Sequence, residues 1–253
     1  MALEVRIRPC LADNYLILIR DEATGAAATI DTPDAEAVLA FAAELGWSLT
    51  HILNTHWHPD HAGGNEQVKA KTGAVIYGPQ EVTRIAPLDH PVQDGDQVQI
   101  GATRLDVFAA PGHTLGHVVY VDLAGHNAFV GDVLFALGCG RLFEGTPGQM
   151  WTSLSRLAAL PDDTRVYCAH EYTASNARFA LSLDADPGVA ARCAEVFAAR
   201  ERGEPTVPTT ILLEKATNPF LRAGRLAARA GYHGDDPVEA FAAVRLAKDG
   251  FKG

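Results

Sequence analysis

Three histidines and an aspartate are concentrated in residues 55–61, which read THWHPDH. His56 and His58 are two residues apart, and side chains at that spacing in an extended segment point to the same side, so the pair can hold one metal ion. Asp60 and His61 could then bind a second ion beside the first. Imidazole nitrogens and carboxylate oxygens are ligands that zinc, iron and manganese all accept. The segment therefore predicts a site for divalent metals.

Seven residues cannot complete two metal sites, so further ligands must come from elsewhere in the chain. Three suitable side chains each follow a strand-like run and precede a turn: His113 in PGHTLGH, Asp132 in FVGD and His170 in YCAHEYT. Active-site loops lie at strand ends on layered α/β scaffolds, so we expect these side chains to converge on one edge of a sheet. The isolated histidines are expected to be solvated or packed in the core, namely His51, His90, His126 and His233.

Short runs rich in β-branched residues predict the strands that must position these ligands. The runs are 3–8, 15–19, 27–30, 50–54, 74–77, 97–100, 104–108, 117–122, 128–130 and 165–168. A helix is predicted over 35–45, because Pro33-Asp34 precedes it and Gly46 follows it. Further helices are predicted through Lys71 and over 152–160. The strand over 50–54 leads directly into the histidine cluster.

The composition of the chain changes near Glu171. Beyond this residue Ala, Arg and Glu recur at helical spacing and β-branched runs almost disappear, with helices predicted over 190–201 and 237–248. We therefore predict a catalytic domain over residues 1–170 and a helical domain over residues 171–253.

The overall composition is that of a soluble globular protein, with 47% apolar and 21% charged residues in a chain of 253. A formal net charge of -10 argues against nucleic acid or an anionic membrane as a partner, because both require basic surface. The N-terminal residues lack a secretory leader pattern, so we expect a cytoplasmic protein. We also expect a monomer. The four cysteines form no CxxC pair, and we expect each to be a small buried residue.

The motif His-x-His-x-Asp-His, formed by His56, His58, Asp60 and His61, resembles the signature of the metallo-β-lactamase superfamily. The resemblance covers residues 1 to about 170 and implies an α/β fold, a four-layer αββα sandwich with a dinuclear metal site. It implies His56, His58 and His113 on one ion, Asp60, His61 and His170 on the other, and Asp132 bridging the two. His117 is outside that ligand set, and both a role beside the metal and a structural role stay open for it.

Two further stretches resemble glyoxalase II, the hydroxyacylglutathione hydrolases, and extend the resemblance over the whole chain. They are GCGRLFEGT at 138–146 and AHEYT at 169–173. The resemblance implies that glutathione is bound by Arg141, Phe143, Tyr172, Arg245 and Lys248. Arg245 and Lys248 also lie on one helical face by their spacing, where two positive charges can meet substrate carboxylates. Phe143 replaces the family's commoner tyrosine and lacks its hydroxyl, which predicts binding weaker by about 0.5–1.5 kcal/mol.

The resemblance also implies a reaction. Two divalent ions, zinc in first place and iron or manganese as alternatives, would share a hydroxide that attacks the thioester of an S-2-hydroxyacylglutathione. S-D-lactoylglutathione would give D-lactate and glutathione, a step of methylglyoxal detoxification. Asp60 would orient the bridging hydroxide while ligating its metal, and Asp132 would bridge the two ions.

Three other functions were compared with this one. A glutathione persulfide dioxygenase would use mononuclear iron, held for example by His56, His113 and Asp132. The GCGRLFEGT stretch and the pair Arg245 and Lys248 favour the hydrolase instead. A non-catalytic binder of glutathione conjugates is disfavoured because the ligand set is complete, and a β-lactamase because the leader is absent and Asp132 is acidic.

Overall fold

The computed structural model describes residues 3–252, and their contacts divide the chain into two compact units. The first unit takes in the chain up to Ala109 together with Gly116–Gly131. The second takes in Ala110–Leu115 and the chain from Asp132 onward. The predicted functional division at residue 170 stays a prediction.

The first unit contains a mixed sheet with the strand order β1-β2-β3-β4-β5-β6. Its strands are β1 Leu3–Cys10, β2 Asn14–Asp21, β3 Ala27–Ile30, β4 Leu49–Leu53, β5 Val75–Gly78 and β6 His90–Pro91. The predicted pairing of the first two strands is confirmed, with a register that runs from Leu3 opposite Asp21 to Cys10 opposite Asn14. From β3 to β6 the strands are parallel. The carboxyl ends of β3 and β4 therefore lie side by side, where active-site residues collect in such sheets.

A second, antiparallel group of strands in this unit has the order β10-β9-β8-β7. These strands are β7 Gln97–Ile100, β8 Thr103–Ala109, β9 Val118–Asp122 and β10 Asn127–Gly131. Hydrogen bonds join the two groups, because the Thr103 hydroxyl donates to Asp21 at 2.7 Å and the Tyr120 hydroxyl to the Asn54 carbonyl at 2.8 Å. The hairpin predicted around Gly101 is confirmed.

Helices α1 Ala35–Leu45, α2 Pro59–Ala62 and α3 Asn65–Thr72 belong to the first unit, as does a 3-10 turn at Gln80–Arg84. The Asp34 carboxylate caps α1 by accepting from the Ala37 amide at 2.8 Å, and Gly46 ends the helix in the left-handed conformation, as the sequence predicts. Val38 and Phe41 of α1 pack with strand residues such as Ile52 in the core.

The second unit begins with short strands and a capped helix. Strands β11 Leu134–Phe135 and β12 Gly138–Cys139 pair with each other, and β13 Arg165–Cys168 pairs with β14 Thr209–Thr210. Helix α4 covers Pro147–Ala158 and starts five residues before the predicted 152. The prediction missed this start because Pro147-Gly148 resembles a turn, whereas Pro147 occupies the first helical position behind a capping box of Thr146 and Gln149.

The predicted helical character beyond Glu171 is confirmed. The helices are α5 Thr173–Leu183, α6 Pro187–Glu201, α7 Ile211–Thr217, α8 Ala223–Leu226 and α9 Pro237–Asp249, with a 3-10 turn at Ala227–Ala230. Asp186 and Asp236 cap α6 and α9. Within residues 3–252, the structure contains no helix whose length and apolar character would let it span a membrane. Cys139, Cys168 and Cys193 are buried as predicted, but Cys10 is only half-buried, because it lies in the edge strand β1.

Candidate active site

The histidine cluster of the first unit follows directly from the end of β4. The chain passes through Asn54 and Thr55 into His56, and α2 then begins at Pro59, which places Asp60 and His61 in its first turn. Nε2 of His56 lies 2.9 Å from Nδ1 of His58, and Nε2 of His61 lies 3.5 Å from Oδ2 of Asp60. The ring centroids of His56 and His61 are 4.0 Å apart.

These distances fit a metal site. Two nitrogens bound to one tetrahedral zinc ion lie about 3.3 Å apart, and the separation between His56 and His58 is near that value. Metal-binding atoms of His56 and His61, and of Asp60 and His61, also lie within 4.8 Å of each other. His56 and His61 are almost fully buried, whereas the side chain of Asp60 is 40% exposed.

Asp31 lies behind this cluster, at the end of β3. Its carboxylate accepts hydrogen bonds from the Thr55 amide at 2.7 Å and the Thr55 hydroxyl at 2.8 Å, and it lies 2.7 Å from Nδ1 of His61. Such a carboxylate keeps the proton on Nδ1 and leaves Nε2 of His61 for a metal. The backbone of Asp31 has a φ of 60°, which aspartate tolerates better than most residues. Asp31 is therefore a positioning residue for His61.

The sequence interpretation missed Asp31, although the rule that found Asp132 also applies to it, since both are polar residues that directly follow a strand. It also missed Asn14, whose side-chain amide donates to Oδ2 of Asp60 at 3.1 Å. The contacts of Asp31 with His61 and of Asn14 with Asp60 fix the positions of these two side chains of α2.

The Asp31→Asn substitution tests the positioning role. Asparagine keeps the shape and tolerates the positive φ, but it removes the charge that orients the His61 proton, so we expect metal affinity to fall about 10–100-fold. Competition with a chromophoric chelator measures this affinity without any assay of activity. The matched control is Asp21→Asn, which alters another buried carboxylate in the same sheet, one that binds Thr24 and Thr103. Unchanged affinity in folded Asp31→Asn protein would contradict the assignment.

His117 packs against the cluster without belonging to the predicted ligand set. It is fully buried, and its ring stacks on that of His56 at a centroid distance of 4.8 Å and an angle of 20°. Gly131 lies beside it, and a Cβ at that glycine would come within 2.8 Å of Nε2 of His117. The observed contacts are those of a residue that fixes the His56 ring by packing.

The remaining predicted metal ligands lie within the second unit. Asp132 follows the end of β10, His170 follows β13, and His113 lies in the segment Ala110–Leu115. Oδ2 of Asp132 is 3.3 Å from Nε2 of His113, whereas Oδ1 is 3.4 Å from Nε2 of His170. All three residues are buried. The Asp132 carboxylate thus presents one oxygen to each of two imidazoles.

The stretch 138–146 is attached to these ligands by its backbone. Nδ1 of His113 lies 2.9 Å from the Arg141 carbonyl, and the amides of Phe143 and Glu144 both donate to the His113 carbonyl at 3.3 Å. Gly140 passes so close to Asp132 that a Cβ would lie 2.0 Å from its carbonyl oxygen, which only glycine avoids. The segment that carries the predicted glutathione-binding residues therefore also fixes the positions of His113 and Asp132, two of the predicted metal ligands.

The predicted substrate-binding residues of this unit differ in exposure. The side chain of Arg141 is 67% exposed, and Phe143 is 62% exposed with its ring 5.2 Å from that of His113. Tyr172 stacks on His170 at 4.8 Å with an angle of only 3°. Together these three residues place a positive charge and two aromatic rings next to His113 and His170.

Arg245 and Lys248 of α9 are held more tightly. Arg245 is buried, with Nη1 donating to the Cys139 carbonyl at 3.0 Å and Nη2 to Oδ1 of Asp249 at 2.7 Å. Lys248 donates to the Ser175 carbonyl at 3.2 Å. Burial, followed by repulsion from neighbouring arginines, lowers the pKa of Lys248 from 10.5 to about 8.

Cys139 and Cys168 are not activated thiols. Burial raises the pKa of Cys139 to about 11 and that of Cys168 to about 12, and the nearby carboxylates add to both shifts. Both side chains therefore stay protonated at neutral pH, whereas a cysteine nucleophile must be a thiolate. This agrees with the sequence prediction that they are small buried residues.

Comparison with known families identifies the class of protein that this fold and site define. Residues 22–170 match the family model described as Metallo-beta-lactamase superfamily, and residues 171–251 match the model described as Hydroxyacylglutathione hydrolase C-terminus. The chain belongs to the hydroxyacylglutathione hydrolase family of the metallo-β-lactamase superfamily. The predicted fold class, an αββα sandwich with a helical C-terminal part, is thereby confirmed, and this fold with its His/Asp cluster supports the binding of divalent metals.

Individual relatives match nearly the full chain. The hydroxyacylglutathione hydrolase of Maricaulis maris is 56% identical and that of Erythrobacter litoralis 53%, each over 98% of this chain and over 98% and 100% of the relatives. Among solved structures, ETHE1 from Myxococcus xanthus has a TM-score of 0.68 at 29% identity, over 96% of this chain and 90% of that one. TTHA1623 in a di-iron-bound form has a TM-score of 0.62 at 26% identity, over 86% of this chain and 100% of that one.

Proposed function

We propose that the chain hydrolyses S-2-hydroxyacylglutathione thioesters, with S-D-lactoylglutathione converted to D-lactate and glutathione in methylglyoxal detoxification. The observation that carries this proposal is the match of both parts of the chain to hydroxyacylglutathione hydrolases, helical segment included. A fold shared among many activities would not suffice by itself. The exposed Arg141 and Phe143 beside His113 add a surface that suits an anionic peptide.

The proposed cofactors are two divalent ions. The residues that would hold one ion are His56, His58 and His113, and those that would hold the other are Asp60, His61 and His170, with Asp132 shared. When bound, such ions lower the pKa of water and polarise a carbonyl group. Zinc suits the donor set, and iron or manganese suits it too, iron being the metal of the TTHA1623 structure.

The side chains of the chain would position the reactants. We assign Asp60, held by Asn14, to orient the attacking water, and Asp132 to keep His113 and His170 in place. In the net reaction the water oxygen bonds to the acyl carbon, the carbon–sulfur bond breaks, and the sulfur leaves as glutathione thiolate. A thiolate is a good leaving group, so the reaction requires no buried general acid.

The test is hydrolysis of S-D-lactoylglutathione by protein of measured metal content, with and without a chelator. We expect turnover that the chelator abolishes and that added zinc, iron or manganese restores. Oxygen consumption with glutathione persulfide is measured in parallel, because the mononuclear iron alternative predicts it. Oxygen uptake without thioester hydrolysis would replace the proposed function with that alternative.

We also propose that the protein is a cytoplasmic monomer without nucleic acid or membrane partners. In this proposal residues 1–170 form the catalytic part and residues 171–253 bind glutathione. Light scattering in solution tests the monomeric state. Variants of Lys248 and Asp249 test whether the helical part binds glutathione.

Lys248 gives the proposed substrate site a pH dependence. Its pKa is lowered to about 8, so the ammonium is present below that pH and is lost as the pH rises through it. Because the ammonium would attract a glutathione carboxylate, we expect KM for S-D-lactoylglutathione to be flat near neutral pH and to rise about tenfold by about pH 9.5. Steady-state kinetics across this range measure the effect.

Lys248→Arg is the matched variant, since a guanidinium keeps its charge throughout that range. We expect its KM to stay level where that of the unaltered protein rises. An identical alkaline rise in both proteins would show that Lys248 is not the group responsible.

A further inference from the structure

The environment of Arg245 leaves little of its guanidinium for an external ligand. Nη1 donates to the Cys139 carbonyl, Nη2 donates to the Asp249 carboxylate, and Cζ lies 4.9 Å from the centroid of the Phe220 ring. Only 5% of Arg245 is exposed. The side chain of Asp249, in contrast, is 42% exposed. A substrate carboxylate could therefore reach Nη2 only where the Asp249 carboxylate now lies.

Asp249 occupies a position that is unfavourable for a carboxylate by helix electrostatics. It is the last residue of α9, where the partial negative charge of the helix end disfavours an anion. Basic side chains compensate for this. Besides Arg245, Nε of Arg141 lies 4.0 Å from Oδ1 of Asp249, and Lys248 is the adjacent residue. Asp249 is thus the counter-ion of a basic cluster formed by Arg141, Arg245 and Lys248.

We propose that Asp249 is an internal competitor for the carboxylates of glutathione and thereby sets the affinity of the site for its substrate. The inference rests on the proposed function, because it takes the glutathione moiety as the external anion. In the free protein Asp249 pairs with Arg245. In the complex a substrate carboxylate replaces Asp249 on Nη2 and approaches Arg141 as well. Asp249 touches no reacting atom and is a specificity residue.

The Asp249→Asn variant tests this role. Asparagine keeps the size of the side chain and an oxygen acceptor but carries no charge, so Arg245 and Arg141 become available to the substrate. We expect KM for S-D-lactoylglutathione to fall about 3–10-fold with kcat unchanged, as for removal of one charge-assisted hydrogen bond. For S-D-lactoyl-N-acetylcysteamine, a thioester without peptide carboxylates, we expect no change in KM.

Calorimetric titration with glutathione gives a readout that needs no turnover, and Asp249→Asn should tighten this binding by the same factor. One control accompanies the variant. Glu239→Gln removes one charge from the exposed first turn of the same helix and should change neither KM nor glutathione binding.

Weaker or unchanged glutathione binding in Asp249→Asn would overturn the proposal, as would an equal change of KM for both thioesters. In the first case Asp249 would serve only to hold Arg245 in place. Failure of the proposed function has a different signature, because no thioester would be hydrolysed even by the unaltered protein, while the calorimetric comparison would still report on Asp249.

Discussion

The Asp132→Asn variant is expected to lose S-D-lactoylglutathione hydrolysis by more than ~100-fold, together with much of its bound metal. Asp132 presents one oxygen to His113 and the other to His170, and its side chain is almost completely buried. An amide supplies one oxygen and one NH2 group, and the NH2 group cannot ligate a metal. The charge that balances the ions is lost in the same step. Steady-state rates and metal per chain measure the two effects.

A matched control separates the loss of a ligand from the loss of a buried carboxylate. Asp122→Asn alters a carboxylate that is 2% exposed at the end of β9 and that accepts from the Gly125 amide and the Asn127 side chain. This variant should keep its metal content and turnover, whatever it loses in stability. Full activity of folded Asp132→Asn would show that Asp132 is not a metal ligand.

The Glu214→Ala variant is expected to lower the free energy of unfolding by about 3–5 kcal/mol, because it leaves a buried charge without its partner. Glu214 is fully buried and forms an ion pair with Arg192, itself only 6% exposed. Its carboxylate also accepts from the Leu137 amide at 2.9 Å and from Asn218 at 2.9 Å. The pair therefore links α6 to α7 and to the segment before β12. Urea unfolding followed by circular dichroism gives the change.

Two further variants test whether burial of the ion pair causes this loss of stability. Lys215→Ala removes the neighbouring exposed ion pair with Asp162, 2.8 Å long, and should change stability by at most about 1 kcal/mol. The double variant Arg192→Met with Glu214→Leu removes both charges and should recover a large part of the loss. If Glu214→Ala were as mild as Lys215→Ala, burial would not be what makes this pair important.

The sequence predicted the elements whose patterns are local. The hairpin around Gly101, the helix between Asp34 and Gly46, and the strand that leads into His56 all carry their own start and stop signals. The candidate metal ligands could be predicted because imidazoles and carboxylates at strand ends have few purely structural reasons to occur together; their role as ligands stays a prediction.

Other features depended on tertiary contacts that a linear pattern does not contain. Spacing placed Arg245 and Lys248 on one helical face, but it did not show that this face is turned inward. The structure buries Arg245, whereas the intervening apolar Leu246 is 74% exposed. The strand-end rule could have singled out Asp31, but not its contact with His61, which is 30 residues further along the chain. The strand β14 was missed because Thr209 and Thr210 are stabilised by pairing with β13.

Anomalous diffraction from metal-loaded crystals measures whether the seven side chains bind two divalent ions. We expect two strong peaks per chain, one contacted by His56, His58 and His113, the other by Asp60, His61 and His170, with Asp132 on both. A fully loaded crystal with a single peak, or with Asp132 directed away from the metal, would contradict this assignment.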